Sequence, residues 1–336
     1  MDNSFVKLIK RLRTPYKYPK IVLSPSFKQR EYDSHAVDGP FVFEYEGCFY
    51  MTHIGWDSIG YRTGLASSND LIHWKKEGII IDRGPKGSTT EFNIALTWIV
   101  RDNNLFGNGQ LKKINGRFLG TYHSYPNPGY ESGPASIGLC WSDDIRCWEL
   151  EDPLLYSSDG ADWEIGGLYK SCLIENNGIF YMFYNAKNKT EWPWIEQIGV
   201  VVSKDLKKWT RVKENPVLTV GPPGSFDDIF ASDPCVCKSD EIWIMFYFGN
   251  SSDGHARDSV AFSKDLIHWE KSNEILVNVG SEGSIDSKYA HKPAVFFRDK
   301  KLYHFYCAVS KTNNKKIGDI EHNEIRGITV STSKSI

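Results

Sequence analysis

No apolar run in this 336-residue chain approaches the ~20 residues that a membrane-spanning helix requires. Charge of one sign is lacking too. A formal net charge of −2 supplies no electrostatic pull toward nucleic acid or an anionic membrane. The opening "MDNSFVKLIKRLRTPYKY" is basic and faintly amphipathic, without the apolar stretch and small-residue cleavage site of a secretory signal. The seven cysteines are odd in number and show no framework spacing. Cys235 and Cys237 form a C-x-C inside an apolar run, which suits strand positions better than a metal site. Free thiols and the absence of a leader lead to the expectation of a cytoplasmic protein, although a secreted chain stripped of its leader would read the same way. No Ser-His-Asp order, phosphate loop or zinc spacing stands out. The single "NKT" at 188–190 matches a common glycosylation pattern that carries no weight in a cytoplasmic protein.

What the chain has in quantity is aromatic residues, at 14%, with 11 Trp and 17 Tyr. Flat rings stack on the C–H faces of sugar rings, and they also fill cores, where most of them are expected. The chain also repeats itself. "SNDLIHW" at 68–74 returns as "SDDIRCW" at 142–148, "SKDLKKW" at 203–209 and "SKDLIHW" at 263–269. A fifth run, "RGITVSTSKS", reaches Ser331. The intervals between these serines are 74, 61, 60 and 68 residues.

Upstream of each copy lie two strand-like runs around a polar turn, as in "GPFVFEYEGCFYMTH" and "YKSCLIENNGIFYMFYN". Each unit therefore reads strand, hairpin, strand, loop, strand, Ser-x-Asp-Leu turn, Trp, followed by an outer edge run such as "GIIIDRG" or "PVLTVG". Five such units describe an all-β fold, a five-bladed β-propeller of four-stranded antiparallel sheets. Residues 1–336 form a single domain, with 1–17 as an N-terminal extension. "KIVLSPS" near the N-terminus resembles the edge runs and would close the ring as the missing outer strand of the last unit, hiding an exposed edge. The repeated Ser, Asp and Trp read as structural: Asp accepts backbone hydrogen bonds at the turn and Trp packs between blades.

Five units with Ser-x-Asp-Leu-x-x-Trp strings and "DGPFVFEYEGCFYM" resemble the five-bladed glycosidases of glycoside hydrolase families 43 and 32, and more distantly 62, 117 and the family 130 phosphorylases. The resemblance spans nearly the whole sequence as architecture, and its catalytic motifs match in part. Asp38 in "VDGPFVF" is similar to the first-blade Asp of family 43, with one Gly inserted before Pro40. "WIVRDN", holding Arg101 and Asp102, resembles the "RDP" of family 32 without its Pro. "DWEIGG", holding Trp163 and Glu164, resembles "WEC" without its Cys.

The hairpin turns offer a ruler. Fourteen residues before Gly47, Gly116, Gly178, Glu241 and Lys300 lie Asp33, Asp102, Glu164, Asp227 and Asp286, all acidic. They are either a repeated loop anchor or, in part, a pocket rim. Nine residues before the turns lie Asp38, Gly107, Tyr169, Ser232 and His291, followed by Gly39, Asn108, Lys170, Asp233 and Lys292. Such polar residues at strand starts are expected to gather at one axial pocket.

Glycosidic cleavage uses two carboxyl groups, one protonated and one ionised. The resemblance makes Asp38 the ionised carboxylate, Glu164 the general acid and Asp102 the group that tunes it. Asp233 is the rival for either carboxylate role. Arg101, Trp98, Lys170, Asp233, His291 and Lys292 are the expected substrate-binding residues, with Trp192, Trp194, Tyr125 and Tyr130 as candidate sugar platforms. No cofactor is expected to be required. A structural calcium in the axial channel, near His291, is left open. The function expected is a glycoside hydrolase acting on short oligosaccharides or glycosides, among them arabinofuranosides or fructofuranosides. The alternatives are a phosphorylase using inorganic phosphate on Lys170, Lys292 and His291, or a non-catalytic sugar-binding propeller. The partner is a glycan; no nucleic acid or membrane is expected.

Overall fold

The computed structural model describes residues 3–335. Apart from the helix Asn3–Leu12 and two short 3-10 turns its regular secondary structure is β-strand, and among the described residues no helix is long and apolar enough to cross a membrane. By antiparallel pairing the strands fall into five groups, here called units, and short parallel pairings at Glu196–Phe230 and Ala256–Tyr289 join the last three into one sheet. The first runs Ala36–Tyr45, Cys48–Trp56, Tyr61–Ser68, Lys75–Ile81. The second is Ala95–Ile99, Arg117–Ser124, Ser136–Ser142, Glu149–Leu150, with a small extra strand at Lys113–Ile114. The third is Gly167–Asn176, Ile179–Lys187, Glu196–Ser203, Thr210–Arg211. The fourth is Phe230–Ser239, Ile242–Asn250, Ala256–Ser263, Glu270–Lys271. The fifth has three strands late in the chain, Tyr289–Arg298, Lys301–Ile317 and Ile320–Thr332. Its outer strand, Tyr16–Lys17, comes from the N-terminus and pairs Tyr16 with Thr332.

Innermost strands are apolar on both faces because neighbouring units cover both. Phe41, Val42 and Phe43 are all buried in succession. The Ser-x-Asp-Leu string builds one turn four times. The Ser68 hydroxyl accepts from the backbone N–H of Asp70 and Leu71, at 3.2 and 3.0 Å, and the Asp70 carboxylate accepts from Ile72 and His73. These bonds hold Leu71 at φ +67°, a region that costs an L-residue about 1 kcal/mol. The Trp74 indole then donates to the Leu71 carbonyl at 3.2 Å. The same bonds recur from Ser142, Ser203 and Ser263. The turn tryptophans reach the preceding unit: Trp269 meets Phe183 edge-on at 5.7 Å, and Trp74 meets Phe305 of the fifth unit at 5.8 Å.

Four of the five acids fourteen residues before the hairpins, all but Asp102, are anchors. Asp227 accepts from the Tyr247 hydroxyl at 3.2 Å and pairs with Lys271 at 2.5 Å. Asp286 accepts from Tyr306 at 2.9 Å and pairs with Lys17 at 2.5 Å. Asp33 pairs with Lys76. In each case an acid at the unit's entrance ties to a cation on its outermost strand. Lys17 fills that place for the fifth unit from the opposite end of the chain.

The ruler misplaces the second unit. Its innermost strand is Ala95–Ile99, and an excursion through residues 101–112 separates it from the hairpin. Asp102, Gly107 and Asn108 lie on that excursion. Beneath the axial end, Arg101 is buried over the rings of Phe41 and Trp98, each 5.2 Å away. Its guanidinium donates to the Val42 and Val295 carbonyls at 2.9 and 3.1 Å, so it spans strands of the first and fifth units.

Replacing Asp286 with Ala leaves the Tyr306 hydroxyl and Lys17 without their shared acceptor. The expected loss in unfolding free energy is roughly 2–4 kcal/mol. Urea denaturation measures it, and a wild-type midpoint would show that the clasp contributes nothing.

Candidate active site

In four units the innermost strand breaks register near its first residues. Pairing skips from Asp38 to Phe41, Tyr169 to Cys172, Ser232 to Cys235 and His291 to Ala294. The first residue skipped has positive φ each time: Gly39 +57°, Lys170 +45°, Asp233 +57°, Lys292 +66°. A bulge re-aims the side chains around it. A Cβ at Gly39 would stand 2.8 Å from Ile54 Cδ1, so the end of that side chain would have to shift to admit one. At Lys170, Asp233 and Lys292 the packed strands hold a conformation that residues with a side chain avoid. Lys170, Asp233 and Lys292, with Asp38 beside Gly39, line one hollow of about 270 Å³. In the second unit the shift skips a single residue, Thr97, whose hydroxyl donates to the Ser171 carbonyl at 3.0 Å, so that unit contributes no charge at this level.

Asp38 is the electrostatic centre of the hollow. One carboxylate oxygen accepts from Lys292 at 2.9 Å and Arg326 at 3.1 Å, and the other from the Gly39 N–H at 2.7 Å. Burial alone would raise its pKa, but Lys292 and Arg326 outweigh burial and hold it well below the usual carboxylate range. Asp233 is shifted upward, by burial first, against Lys292 and Lys170; Asn185 donates to it at 2.6 Å. Among the described residues Lys170 makes no ion pair, and burial lowers its pKa against the pull of Asp233. The neighbouring imidazoles are kept neutral. His123 falls to about 3 through burial and then Lys170 and Lys292, and His291 falls well below its ordinary value for similar causes.

On another wall stand Glu196 and Glu131. Glu196 begins the third strand of the third unit and is buried. Its carboxylate accepts from the Ser232 hydroxyl and from the Trp194 indole, both at 2.7 Å. Burial, and then the charge of Glu131, push it up to about 7 against the donors Tyr169, Trp194 and Ser232. Glu131 sits at φ +51° in the loop before the second unit's third strand. Trp192, exposed at the mouth, meets Trp194 edge-on at 5.2 Å, and Trp194 stacks on Phe230 at 6.3 Å.

Of the residues expected from sequence, Asp38, Lys170, Asp233, His291 and Lys292 line the hollow, together with Trp192, Trp194 and Tyr130. Tyr125 is buried behind it. Glu164 does not reach it. That carboxylate accepts from the Tyr184 hydroxyl at 2.9 Å and pairs with Arg211 at 2.8 Å, the same clasp as Asp227 and Asp286, which corrects its expected place as the acid. Asp102 lies on a different face, 3.9 Å from Lys112, too far around the fold to tune an acid in the hollow. Arg101 and Trp98 are packed beneath its floor, where a sugar cannot touch them. A calcium near His291 does not fit the donors present. Its Nδ1 is 3.1 Å from the Cys307 carbonyl, Asp38 is taken by two cations, and calcium calls for several oxygens.

Glu131, Glu196 and Arg326 were not signalled by the hairpin ruler. The turn serine is a better ruler for the third strands. Seven residues before Ser68, Ser203 and Ser263 lie Tyr61, Glu196 and Ala256, all of which line the hollow. Glu131 follows no repeat because its loop belongs to one unit.

The family model for the glycosyl hydrolases family 32 N-terminal domain matches residues 108–318, and the protein belongs to that family. It is 28% identical over 148 residues to 1,2-beta-oligomannan phosphorylase of Thermoanaerobacter sp. (strain X514), covering 42% of this chain and 49% of that protein. It is 25% identical over 197 residues to Beta-xylosidase of Xylanibacter ruminicola, 52% of each. The chain thus spans about half the length of the curated relatives it matches. A solved structure named "Glycoside hydrolase" superposes with a TM-score of 0.83 at 27% identity, covering 100% of this chain and 96% of that one. A solved RGII complex of BT0996 superposes equally well, with a TM-score of 0.83 at 28% identity over 99% of this sequence and 95% of that one. A thermostable family-43 glycoside hydrolase, at 18% identity and a TM-score of 0.60 over 88% of each, shares the fold.

Two outcomes are expected. Because Glu196 has a folded pKa of about 7 against an ordinary 4.5, the folded protein holds that proton more tightly than the unfolded chain. The stability it contributes is complete below pH 4.5 and is lost as pH rises through 7. Chemical denaturation across this window should show a decline that Glu196→Gln reduces; parallel curves would refute it. Glu164→Ala should cost about 3 kcal/mol of stability by stranding Arg211, while kcat at a permissive temperature stays within about twofold of wild type because the site is remote.

Proposed function

We propose that the chain is a glycoside hydrolase that removes single terminal sugar residues. In this reading the five units close into a five-bladed propeller, latched by Tyr16–Lys17, and the hollow lies at its axis. Glu196 is the proton donor to the leaving oxygen. Glu131, whose charge acts on Glu196, is the second carboxylate, either a nucleophile or a base toward water. Asp38, held ionised and already accepting from two cations, is too weakly basic for that step and instead orients sugar hydroxyls together with Lys292 and Arg326. The observation that carries this reading is the buried Glu196 carboxyl, shifted to about 7 beside a second carboxylate in the same hollow. A carboxyl that holds its proton near neutral pH is what a general acid requires.

Single-residue removal follows from size and shape. A hollow of about 270 Å³ lies below the ~300–1,000 Å³ of pockets that take drug-sized ligands, and Arg101 blocks its floor. One ring fits, furanose or pyranose, with Trp192 at the mouth as platform for the next. A glycan substrate is further supported by the carbohydrate-active relatives.

A phosphorylase is the second reading. It is favoured by the Lys170 ammonium, which lies near Lys292 and among the described residues makes no ion pair, and two relatives are named phosphorylases. The test is a panel of aryl and alkyl furanosides and pyranosides, with and without phosphate, on wild type, Glu196→Gln, Glu131→Gln and Asp38→Asn. Glu196→Gln should lower kcat on alkyl glycosides by about 10²–10⁴-fold, and much less on glycosides whose leaving group needs no proton. Turnover only with phosphate would select the phosphorylase. Binding without turnover in wild type would select a sugar-binding protein.

A further inference from the structure

We propose that Lys187 is a positioning residue that sets the placement of Glu131 and the charge balance of the Glu131–Glu196 pair; this rests on the catalytic reading above. Lys187 closes the second strand of the third unit, and its register partner on the third strand is Glu196. Directly opposed residues share a face, with Cβ atoms roughly 4.5–5.5 Å apart. Lys187 has 0% exposure, which is rare for lysine. Its ammonium donates to the backbone carbonyl of Glu131 at 3.0 Å. It also lies over the rings of Trp194 and Tyr125, 4.7 and 5.4 Å from their centres.

The side chain therefore holds the main chain of one carboxylate and underlies the indole that donates to the other. Among the described residues it has no ion pair, so a buried charge is kept without a direct counter-ion, at a cost in solvation. Packing alone does not account for this. Methionine would fill nearly the same volume without that cost, and exchanging buried charge for apolar bulk is often neutral or stabilising. The features that methionine cannot supply are the bond to Glu131 and a positive charge near two carboxylates. Burial lowers the Lys187 pKa, and Glu131 and Glu196 oppose that.

The groups facing Glu196 are Tyr169 on the innermost strand, Lys187 on the second, Trp194 before its own strand, Ser232 and Asp233 of the fourth unit, and Tyr125 and Glu131 of the overlying loop. Among these Lys187 is the cation. Its removal should raise the pKa of Glu196 and move the alkaline limb of kcat/KM to higher pH.

The test compares Lys187→Met, Lys187→Gln and Lys187→Arg in the full chain. Thermal melts, pH–rate profiles and a ¹³C NMR titration of the Glu196 carboxyl without substrate are recorded. Lys187→Met should melt no lower than wild type, lose roughly tenfold or more in kcat through misplacement of Glu131, and shift both the alkaline limb and the titration upward. Lys187→Arg should keep both at wild-type pH. A folded Lys187→Met with wild-type kcat and titration overturns the proposal, as does an Arg variant that shifts like Met. If Lys187→Met does not fold, Lys187→Gln reads the same charge loss. A fully active Glu196→Gln would instead overturn the catalytic reading, while the substrate-free titration still tests the coupling.

Discussion

Asp38 joins the beginning of the fold to its end. It leaves the first unit's innermost strand and accepts from Lys292 and Arg326, both in the fifth unit. Burying Asp38 and Arg326 and partly burying Lys292 costs solvation, and removal of one member would leave the others uncompensated. Those bonds form only when the first and last sheets stand side by side, so the hollow and the seam between the sheets depend on the same interaction. Arg101, donating to carbonyls of both sheets just below, reinforces that seam with a third cation.

Acidic residues serve two ends in this protein, and their surroundings sort them. Asp33, Glu164, Asp227 and Asp286 each meet a cation of an outer strand. Such a carboxylate ties the entrance of its unit to the outermost strand. Glu196 accepts hydrogen bonds from neutral donors and faces another acid, with Lys187 acting on it without a direct ion pair. That environment favours a held proton, which is what a general acid needs at neutral pH. The carboxyl nearest a familiar motif, Glu164, and the carboxyl whose pKa is raised in the hollow, Glu196, are therefore different residues.

The bulges explain how a repeated scaffold yields an unrepeated site. Each unit builds the same strand and the same turn, yet the residue at the bulge is Gly39, Lys170, Asp233 or Lys292. The repeat supplies position, and the individual residues supply charge. The long final hairpin adds Arg326, and the loop through Tyr130 and Glu131 adds a wall with no counterpart in other units.

The Ser-x-Asp-Leu string contains its own turn in its side chains, and apolar alternation contains the strands, so the repeated sheets were legible from sequence. So were Asp38, Lys170, Asp233, His291 and Lys292, because their distance from the hairpin is set by one strand's length. The ruler failed where the chain departs from the repeat, at the excursion through 101–112 that carries Asp102. It also could not tell Glu164 from a catalytic acid, since its partners Tyr184 and Arg211 are twenty and forty-seven residues away. Which carboxyl meets a cation and which meets another carboxyl is decided between strands distant along the chain. A local pattern encodes backbone conformation; the protonation of a buried acid depends on neighbours that only the tertiary fold brings near.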